Sequence, residues 1–466
     1  MNLAPVFVDA PSQLLPAREQ MAFTLMVHVI LVPFGVALPF ITLVMNYLGL
    51  RRGDPVALQL ARRWSNVMAI QFAVGAVTGT VISLEFGLLW PGLMGRYGDV
   101  MGLAFGIEGL AFFLEAILIA IYIYGWRRMT PRAHLLVGLP LPVIALVGAF
   151  SILSVNAWMN TPQGFTLDAQ GNPTDVKIGK VLFTPILASQ YLHMIAAAYM
   201  VAGFMVASVY AVGWLRGRRD RYHRLGFMVP FTVAAIVTPM QFMIGDALAR
   251  TVYDQQPVKF AAMEIVWKTG EDQPEELYGR LQPDGSVEGG IRIPGLDSFL
   301  AGFSRDTKVD GLSETPASDR PNIREANITH FAFDTMVGVA TLLLGLSFWY
   351  AVAWVRRRDI PRSRWFYRCT AAAGVLSVVA LEAGWVTAEV GRQPWIVYEQ
   401  MRVSEAVTDI GAGPIWASFA AVVVVYALVA WAMLGVLLRM KVRWRHEDAD
   451  LARRQDEARE REALPR

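Results

Sequence analysis

The chain has 466 residues, of which 55% are hydrophobic and only 17% are charged, and its net charge is +3. Soluble domains usually carry about 25% charged residues, so this composition argues against a soluble protein and favours one that lies largely in a membrane. Cys369 is the single cysteine, which excludes an internal disulfide, a cysteine-ligated zinc site and an iron–sulfur cluster within the chain.

The first twenty residues do not have the pattern of a cleavable signal peptide, because they carry Asp9, Glu19 and several prolines. Apolar runs then follow one another along the chain, at 22–49, 66–90, 102–125, 135–158, 185–213, 225–247, 330–355, 366–390 and 413–438. Each run reaches the roughly 20 residues that a membrane-spanning helix needs, and a bilayer cannot satisfy open backbone groups in other ways. The sequence therefore predicts an all-α integral membrane protein with about nine transmembrane helices.

Basic residues concentrate in alternate connections between these runs. The connections on one side, together with the residues directly after the last run, hold 22 arginines and lysines, whereas the short segments on the other side hold six. The positive-inside rule places the N-terminus outside and the C-terminus in the cytoplasm. Four parts follow: transmembrane helices 1–6 within 1–247, an external loop at 248–329, helices 7–9 within 330–440, and a charged cytoplasmic tail at 441–466.

The segment 248–329 interrupts this alternation, because it is polar and rich in glycine, proline and acidic residues. A connection of this length is usually either functional or disordered.

Three histidines fall in or at the apolar runs: His28 in the first, His193 in the fifth, and His330 at the interface where the seventh begins. Ionisable groups inside a membrane are costly and mark functional sites, although a hydrogen bond between helices is the competing explanation. The other histidines are expected at the cytoplasmic surface, where they need no special role: His134, His223 and His446.

Carboxylates are paired in two of the runs. Glu108 and Glu115 are seven residues apart in the third run, and Glu382 and Glu389 are seven apart in the eighth. This spacing places both members of a pair on one helix face, about two turns apart.

The predicted directions of the helices bring several of these groups to one depth. His28, Glu108, His193 and Met336 come early in inward-running helices, and Glu85 and Glu382 come late in outward-running ones, whereas Glu115 lies deeper. Imidazole and thioether groups are ligands of haem iron. Because unrelated hydrogen bonds would not gather at one depth, the pattern predicts a haem-bearing site near the outer face.

Several strings, in this order along nearly the whole chain, resemble subunit I of the cytochrome bd family of quinol oxidases. They are Arg18-Glu19-Gln20, Ile107-Glu108-Gly109, Phe113-Leu114-Glu115, Asn156-Ala157-Trp158-Met159, Gln190-Tyr191-Leu192-His193, Leu381-Glu382-Ala383-Gly384-Trp385 and Gly391-Arg392-Gln393-Pro394-Trp395.

The resemblance implies roles for the intramembrane residues. His193 and Met336 would be the axial ligands of a low-spin haem b. His28 and Glu382 would bind the irons of a high-spin haem b and a haem d, without settling which residue serves which haem. Glu108 and Glu115 would line the haem pair and the proton route toward it, with Glu382 also in the catalytic centre.

The resemblance also implies a quinol site. Lys259 and Glu264 would be the quinol-binding pair of the external loop, here in a short form. Arg392 would hold a haem propionate or the loop, since a guanidinium pairs well with carboxylates.

Two positions depart from the commoner family pattern. Asp334 stands where many relatives have arginine, and the loss of that cation should lower the reduction potential of the low-spin haem. Val378 stands where relatives often have tryptophan. Both features are similar to the cyanide-insensitive branch, in which a third haem b sometimes replaces haem d.

The implied activity is oxidation of quinol at the outer face and reduction of O2 to water with cytoplasmic protons, without a pump. The implied location is the bacterial cytoplasmic (inner) membrane. The implied partners are a second multi-helix subunit (subunit II) and a small single-helix subunit, with no nucleic acid. The residues alone leave two alternatives open: a membrane b-type cytochrome without oxygen chemistry, and a proton-coupled transporter.

Overall fold

A computed structural model describes residues 11–463, with side chains described for 11–450. Asp9 and residues 464–466 of the predicted tail lie outside this range. The helices are α1 (Leu14–Arg52), α2 (Pro55–Leu89), α3 (Pro91–Gly125), α4 (Pro131–Gly138), α5 (Pro140–Asn160), α6 (Ile178–Leu182), α7 (Leu187–Leu215), α8 (Arg221–Gln255), α9 (Pro257–Met263), α10 (Leu296–Gly302), α11 (Ile323–Arg357), α12 (Arg364–Val390), α13 (Val403–Ala406) and α14 (Ala412–Ala463).

Within the described range, nine helical segments are long and apolar enough to cross a membrane, with α4 and α5 together forming one of them. The predicted all-α fold with about nine spans is therefore confirmed.

The helices extend beyond the apolar runs because polar capping residues define their ends. The Asp54 side chain accepts hydrogen bonds from Val56 N and Ala57 N at the start of α2. Asn322 and Glu325 form a reciprocal capping box, which begins α11 at Ile323 rather than at residue 330. The segment between α8 and α11 is accordingly 256–322.

The centre of the bundle is formed by α1 and α7. In the most apolar window of each of these helices 56% of residues are buried, against 6% in α14, which therefore lies at the periphery. Gly203 of α7 packs on Pro230 and Ala234 of α8, and Gly374 of α12 packs on Ser208 of α7, with no room for a side chain at either glycine. Small residues at these crossings let the backbones approach closely.

Short strands occur only outside the long helices within the described residues: β1 (Thr166–Leu167), β2 (Pro173–Thr174), β3 (Glu275–Leu277), β4 (Arg280–Leu281), β5 (Val287–Glu288), β6 (Ile291–Ile293), β7 (Trp395–Val397) and β8 (Met401–Arg402). They form four antiparallel pairs, β1–β2, β3–β6, β4–β5 and β7–β8.

The segment 256–322 is folded and is held against α11. Asn327 accepts from Leu281 N at 2.8 Å and donates to Leu281 O at 2.9 Å. Asp334 accepts from Tyr278 N at 2.5 Å. These bonds fix β3 and β4 on the helix and thereby set the position of the residues around α9.

Two histidines lie elsewhere than the sequence predicted. His134 is only 3% exposed, with its Nε2 atom 2.8 Å from Tyr122 O and its Nδ1 atom 3.3 Å from Asn46 Nδ2. His330 is fully buried inside α11 rather than at its start. Apolar runs mark the bilayer and not the ends of helices, so neither position was visible in the pattern.

Candidate functional site

A cavity of about 520 Å³ lies between α7, α8, α11 and α12, with α9 at one end. This volume falls within the roughly 300–1,000 Å³ typical of small-molecule and cofactor sites. His193, Met336, Lys259 and Glu264 all line it. The structure thus brings the predicted low-spin haem ligands and the predicted quinol pair to one place.

The His193 ring is positioned by α8. The Gln241 amide nitrogen lies 3.2 Å from each ring nitrogen, and a side chain at Gly245 would meet the ring at 3.4 Å. The absence of a side chain at Gly245 leaves room beside the imidazole.

Met336 lies against α12 in a comparable way. A Cβ atom at Gly384 would lie 2.9 Å from the Met336 sulfur atom, closer than real Cβ contacts allow. Glycine at this position therefore permits the thioether to take its place at the cavity wall.

Lys259 and Glu264 lie at the two ends of α9 and are 6% and 5% exposed. The Lys259 ammonium donates to Ala388 O at 3.0 Å. Burial, with a smaller contribution from the Arg392 charge, lowers the pKa of Lys259 to about 7. Burial also raises the pKa of Glu264, and the neighbouring Glu275 and Asp297 charges raise it further.

Arg392 is buried beside this end of the cavity. Its Nη2 atom donates to Glu389 at 2.6 Å, whereas its Nε and Nη1 atoms have no partner among the described residues. Glu389 also accepts from Asn156, whose oxygen accepts from Gln190, a residue of the cavity wall. Two unpaired guanidinium nitrogens leave Arg392 able to bind an anionic group.

His28 and Glu382 lie outside the lining of this cavity. The His28 Nδ1 atom is 2.8 Å from the Thr78 hydroxyl, and the ring packs on Gly79 of α2. Both oxygens of Glu382 are buried and have no hydrogen-bond partner among the described residues. The Glu85 carboxylate, in contrast, accepts hydrogen bonds from Gln20 and Thr24. These hydrogen bonds explain its burial at the predicted depth of the haem site without a role in haem binding.

Glu108 and Glu115 lie half-buried on α3. Exposed apolar side chains lie beside them on the same helix, including Leu110 and Phe113. Like His28 and Glu382, the two carboxylates do not line the cavity.

The donor groups fit haem. An imidazole and a thioether face one largely apolar cavity, with glycines beside both, and these are the side chains that ligate haem iron. The hydrogen bond at His28 Nδ1 would leave Nε2 as the ligating atom, an arrangement common in metal-binding histidines. The unpaired atoms of Glu382 and Arg392 suit iron and a propionate, respectively.

Sequence reasoning missed a group of buried polar residues at the loop end of the site. Glu275 and Asp297 are 5% and 0% exposed, and both lie beside Glu264. His330 is 0% exposed and contacts Met263 O, the backbone carbonyl oxygen that precedes Glu264. The sequence offered no signal for the two carboxylates, because acidic residues in a polar loop are usually exposed, and it placed His330 at the membrane interface without a partner.

A profile of the family described as cytochrome bd terminal oxidase subunit I matches residues 16–443. A Bacillus subtilis (strain 168) relative, a candidate cytochrome bd menaquinol oxidase subunit I, is 33% identical over 91% of this chain and 95% of its own length. Subunit 1 of the Escherichia coli (strain K12) cytochrome bd-II ubiquinol oxidase is 26% identical over 88% of this chain and 93% of its own length.

The solved structure of bd oxidase from Geobacillus thermodenitrificans superimposes with a TM-score of 0.86 at 34% identity. The match covers 93% of this chain and 99% of that one. The chain therefore belongs to the cytochrome bd terminal oxidase subunit I family.

Proposed function

We propose that His193 and Met336 would hold the iron of a low-spin haem b, and that Lys259 and Glu264 would bind quinol beside it. The observation that supports this is the single cavity lined by all four side chains. Membership of the family gives the overall function. The chain is the haem-bearing catalytic subunit of a quinol:oxygen oxidoreductase in the bacterial inner membrane, and it works with subunit II. Membership of this family rules out the two alternatives that the residues alone left open, a proton-coupled transporter and a membrane b-type cytochrome without oxygen chemistry.

At the quinol site, Glu264 accepts a proton from a quinol hydroxyl, and the Lys259 ammonium donates to a quinol oxygen. The buried setting supports both roles, since charge–dipole interactions strengthen where water is excluded. The segment 256–322 would then be the quinol-oxidation loop, and it would lie on the outer face, with the N-terminus outside, because the basic connections are expected in the cytoplasm.

Oxygen chemistry would involve a second group of residues. His28 and Glu382 would bind the irons of a high-spin haem b and of a haem d, or of a third haem b in its place. Arg392 would hold a haem propionate through its two unpaired nitrogens. When bound, the haems supply the redox chemistry that joins quinol oxidation to oxygen reduction.

Protons for water formation would enter from the cytoplasm through Glu115 and Glu108, whose half-buried carboxylates can hold protons between transfers. Charge separation follows from release of protons outside and uptake inside, without a pump. A small single-helix subunit would complete the assembly.

The low-spin haem assignment is tested by Met336→Leu, which keeps the volume of the side chain and removes the sulfur. We expect the reduced-minus-oxidised spectrum to lose its low-spin haem b signal. Met194→Leu is the matched control, since Met194 is a thioether in the wall of the same cavity that we give no iron-binding role. A normal low-spin signal in Met336→Leu would refute the assignment.

A further inference from the structure

Three carboxylate side chains from separate parts of the segment 256–322, the loop between α8 and α11, lie close together. Glu264 follows α9, Glu275 lies on β3 and Asp297 lies in α10, and one carboxylate oxygen from each residue lies within 4.8 Å of the other two. Their exposed fractions are 5%, 5% and 0%. We refer to these residues as the carboxylate cluster.

Oxygen atoms of the cluster are left without partners. Glu264 Oε2, Glu275 Oε2 and both oxygens of Asp297 are buried and accept no hydrogen bond from the described residues. Ion pairs in the described part of the chain involve none of the three. Carboxylates this close and this buried cannot all be ionised, so the cluster must hold protons or a cation.

Cations around the cluster are engaged elsewhere. Lys259 donates to Ala388 O. Arg292 pairs with Glu276 at 3.5 Å. His330 faces two backbone carbonyl oxygens and Asp334 on α11.

Raised pKa values agree with a cluster that holds protons. Burial raises the pKa of both Glu264 and Glu275. Burial, with a contribution from the Glu275 charge, raises the pKa of Asp297 to about 8.

The cluster lies between the cavity and a part of the loop that is linked to an exposed ion pair. Glu264 and Glu275 line the cavity, whereas Asp297 does not. Ser298, beside Asp297, accepts from Gln273 N at 2.9 Å, which ties α10 to the segment of the Asp272–Arg305 pair. Both side chains of that pair are 60% exposed.

We propose that Glu264, Glu275 and Asp297 form a proton relay that carries the protons of quinol from the cavity to the exposed side of the loop. The inference rests on the proposed function, in which Glu264 is the first acceptor. Oxidation of one quinol to quinone releases two electrons to the redox centres of the oxidase and two protons to the relay. Each proton passes from Glu264 to Glu275, to Asp297 and to water, so every carboxylate returns to its starting state.

The test uses Glu275→Gln and Asp297→Asn in the complete oxidase, with Glu276→Gln as the matched control on the same strand. We expect both relay variants to keep the dithionite-reduced haem spectrum and the quinol KM of the parent enzyme. Turnover should fall by at least about tenfold, since a positioned proton-transfer group contributes roughly 10²–10⁴-fold. Added formate, a small weak acid, should restore part of the lost turnover, which it would not do for a purely structural defect.

Turnover of both variants equal to that of Glu276→Gln would overturn the relay, as would a loss that formate does not reverse. Should Asp297→Asn fail to assemble, Glu275→Gln decides the matter alone. If EDTA abolishes wild-type turnover and Ca²⁺ restores it, the cluster binds a cation and the relay is wrong.

Glu264→Gln separates this inference from the proposed function. Full turnover in Glu264→Gln would refute both the proposed quinol site and the proposed relay. If Glu264→Gln is inactive while Glu275→Gln and Asp297→Asn keep full turnover, the relay is refuted and the proposed quinol site stands.

Discussion

His330 and Asp334 lie one turn apart on α11, with the His330 Nε2 atom 3.3 Å from an Asp334 oxygen. The His330 Nδ1 atom faces Met263 O at 2.7 Å, and its Nε2 atom faces Glu276 O at 2.9 Å. Asp334 thus lies beside a ring whose two nitrogen atoms each face a backbone carbonyl oxygen. The buried His330 ring thus ties α11 to the end of α9 and to β3, on either side of Glu264.

We expect His330→Ala to destabilise the protein by about 3–5 kcal/mol, because it leaves Asp334 and two backbone carbonyl oxygens buried without their partner. The unfolding midpoint of the purified oxidase should fall, and the quinol KM should rise as α9 loses its anchor. His446→Ala, which removes an exposed histidine, is the control and should leave both values unchanged. An unaltered midpoint in His330→Ala would show that the pair contributes nothing to the fold.

Glu264→Gln should abolish most quinol-supported oxygen consumption, because the amide keeps the shape of the side chain but cannot take the quinol proton. We expect a loss of roughly 10²–10⁴-fold in turnover, with haem content and dithionite-reduced spectra unchanged. Glu271→Gln, a change to an exposed acid of the same loop, should keep wild-type turnover. Comparable oxygen consumption in the two variants would contradict the role of Glu264.

The affinity for quinol should depend on pH through Lys259. Its pKa is lowered to about 7, so the ammonium is lost as the pH rises through neutrality, whereas an ordinary lysine with a pKa of about 10.4 would stay charged. If the ammonium holds quinol, KM should rise about tenfold between roughly pH 6 and 8. The rise should vanish in Lys259→Met, with KM high throughout, and persist in Lys268→Met, which alters an exposed lysine of the loop. A flat wild-type KM over this range would rule out the charged form as the binding group.

The sequence predicted most of the bundle because hydropathy and charge act over whole segments. Runs of apolar residues report where the bilayer lies, and nine of them became nine helical spans in the described residues. The meeting of His193 and Met336 at one cavity also followed, since both lie early in helices predicted to run the same way.

The carboxylate cluster did not follow from the sequence, because it depends on the fold of the loop. Glu264, Glu275 and Asp297 come from a helix end, a strand and another helix, and no periodicity relates them. Asp334 illustrates the same limit. The sequence predicted an effect of its charge on the haem potential, which stays a prediction, whereas its bonds to Tyr278 N and His330 appeared only in the structure.

Glycine substitutions offer a test of iron ligation that leaves every donor group in place. A Cβ atom at Gly384 would lie 2.9 Å from the Met336 sulfur, whereas one at Gly245 would lie 3.4 Å from the His193 ring. The thioether is the flexible part of its side chain and can move aside at small cost in stability. An iron ligand cannot move aside without changing the spectrum of the haem.

We therefore expect Gly384→Ala to perturb or abolish the low-spin haem b signal while the unfolding midpoint changes little. Gly245→Ala should have a milder effect, because 3.4 Å is an ordinary contact. Gly345→Ala on α11 is the control: a Cβ there meets nothing within 4 Å, and replacing a helical glycine by alanine stabilises by roughly 0.5–1 kcal/mol. The three variants should rank in this order by spectral change. An unperturbed low-spin signal in Gly384→Ala would mean that the Met336 sulfur does not need its present position, and would argue against it as an axial ligand.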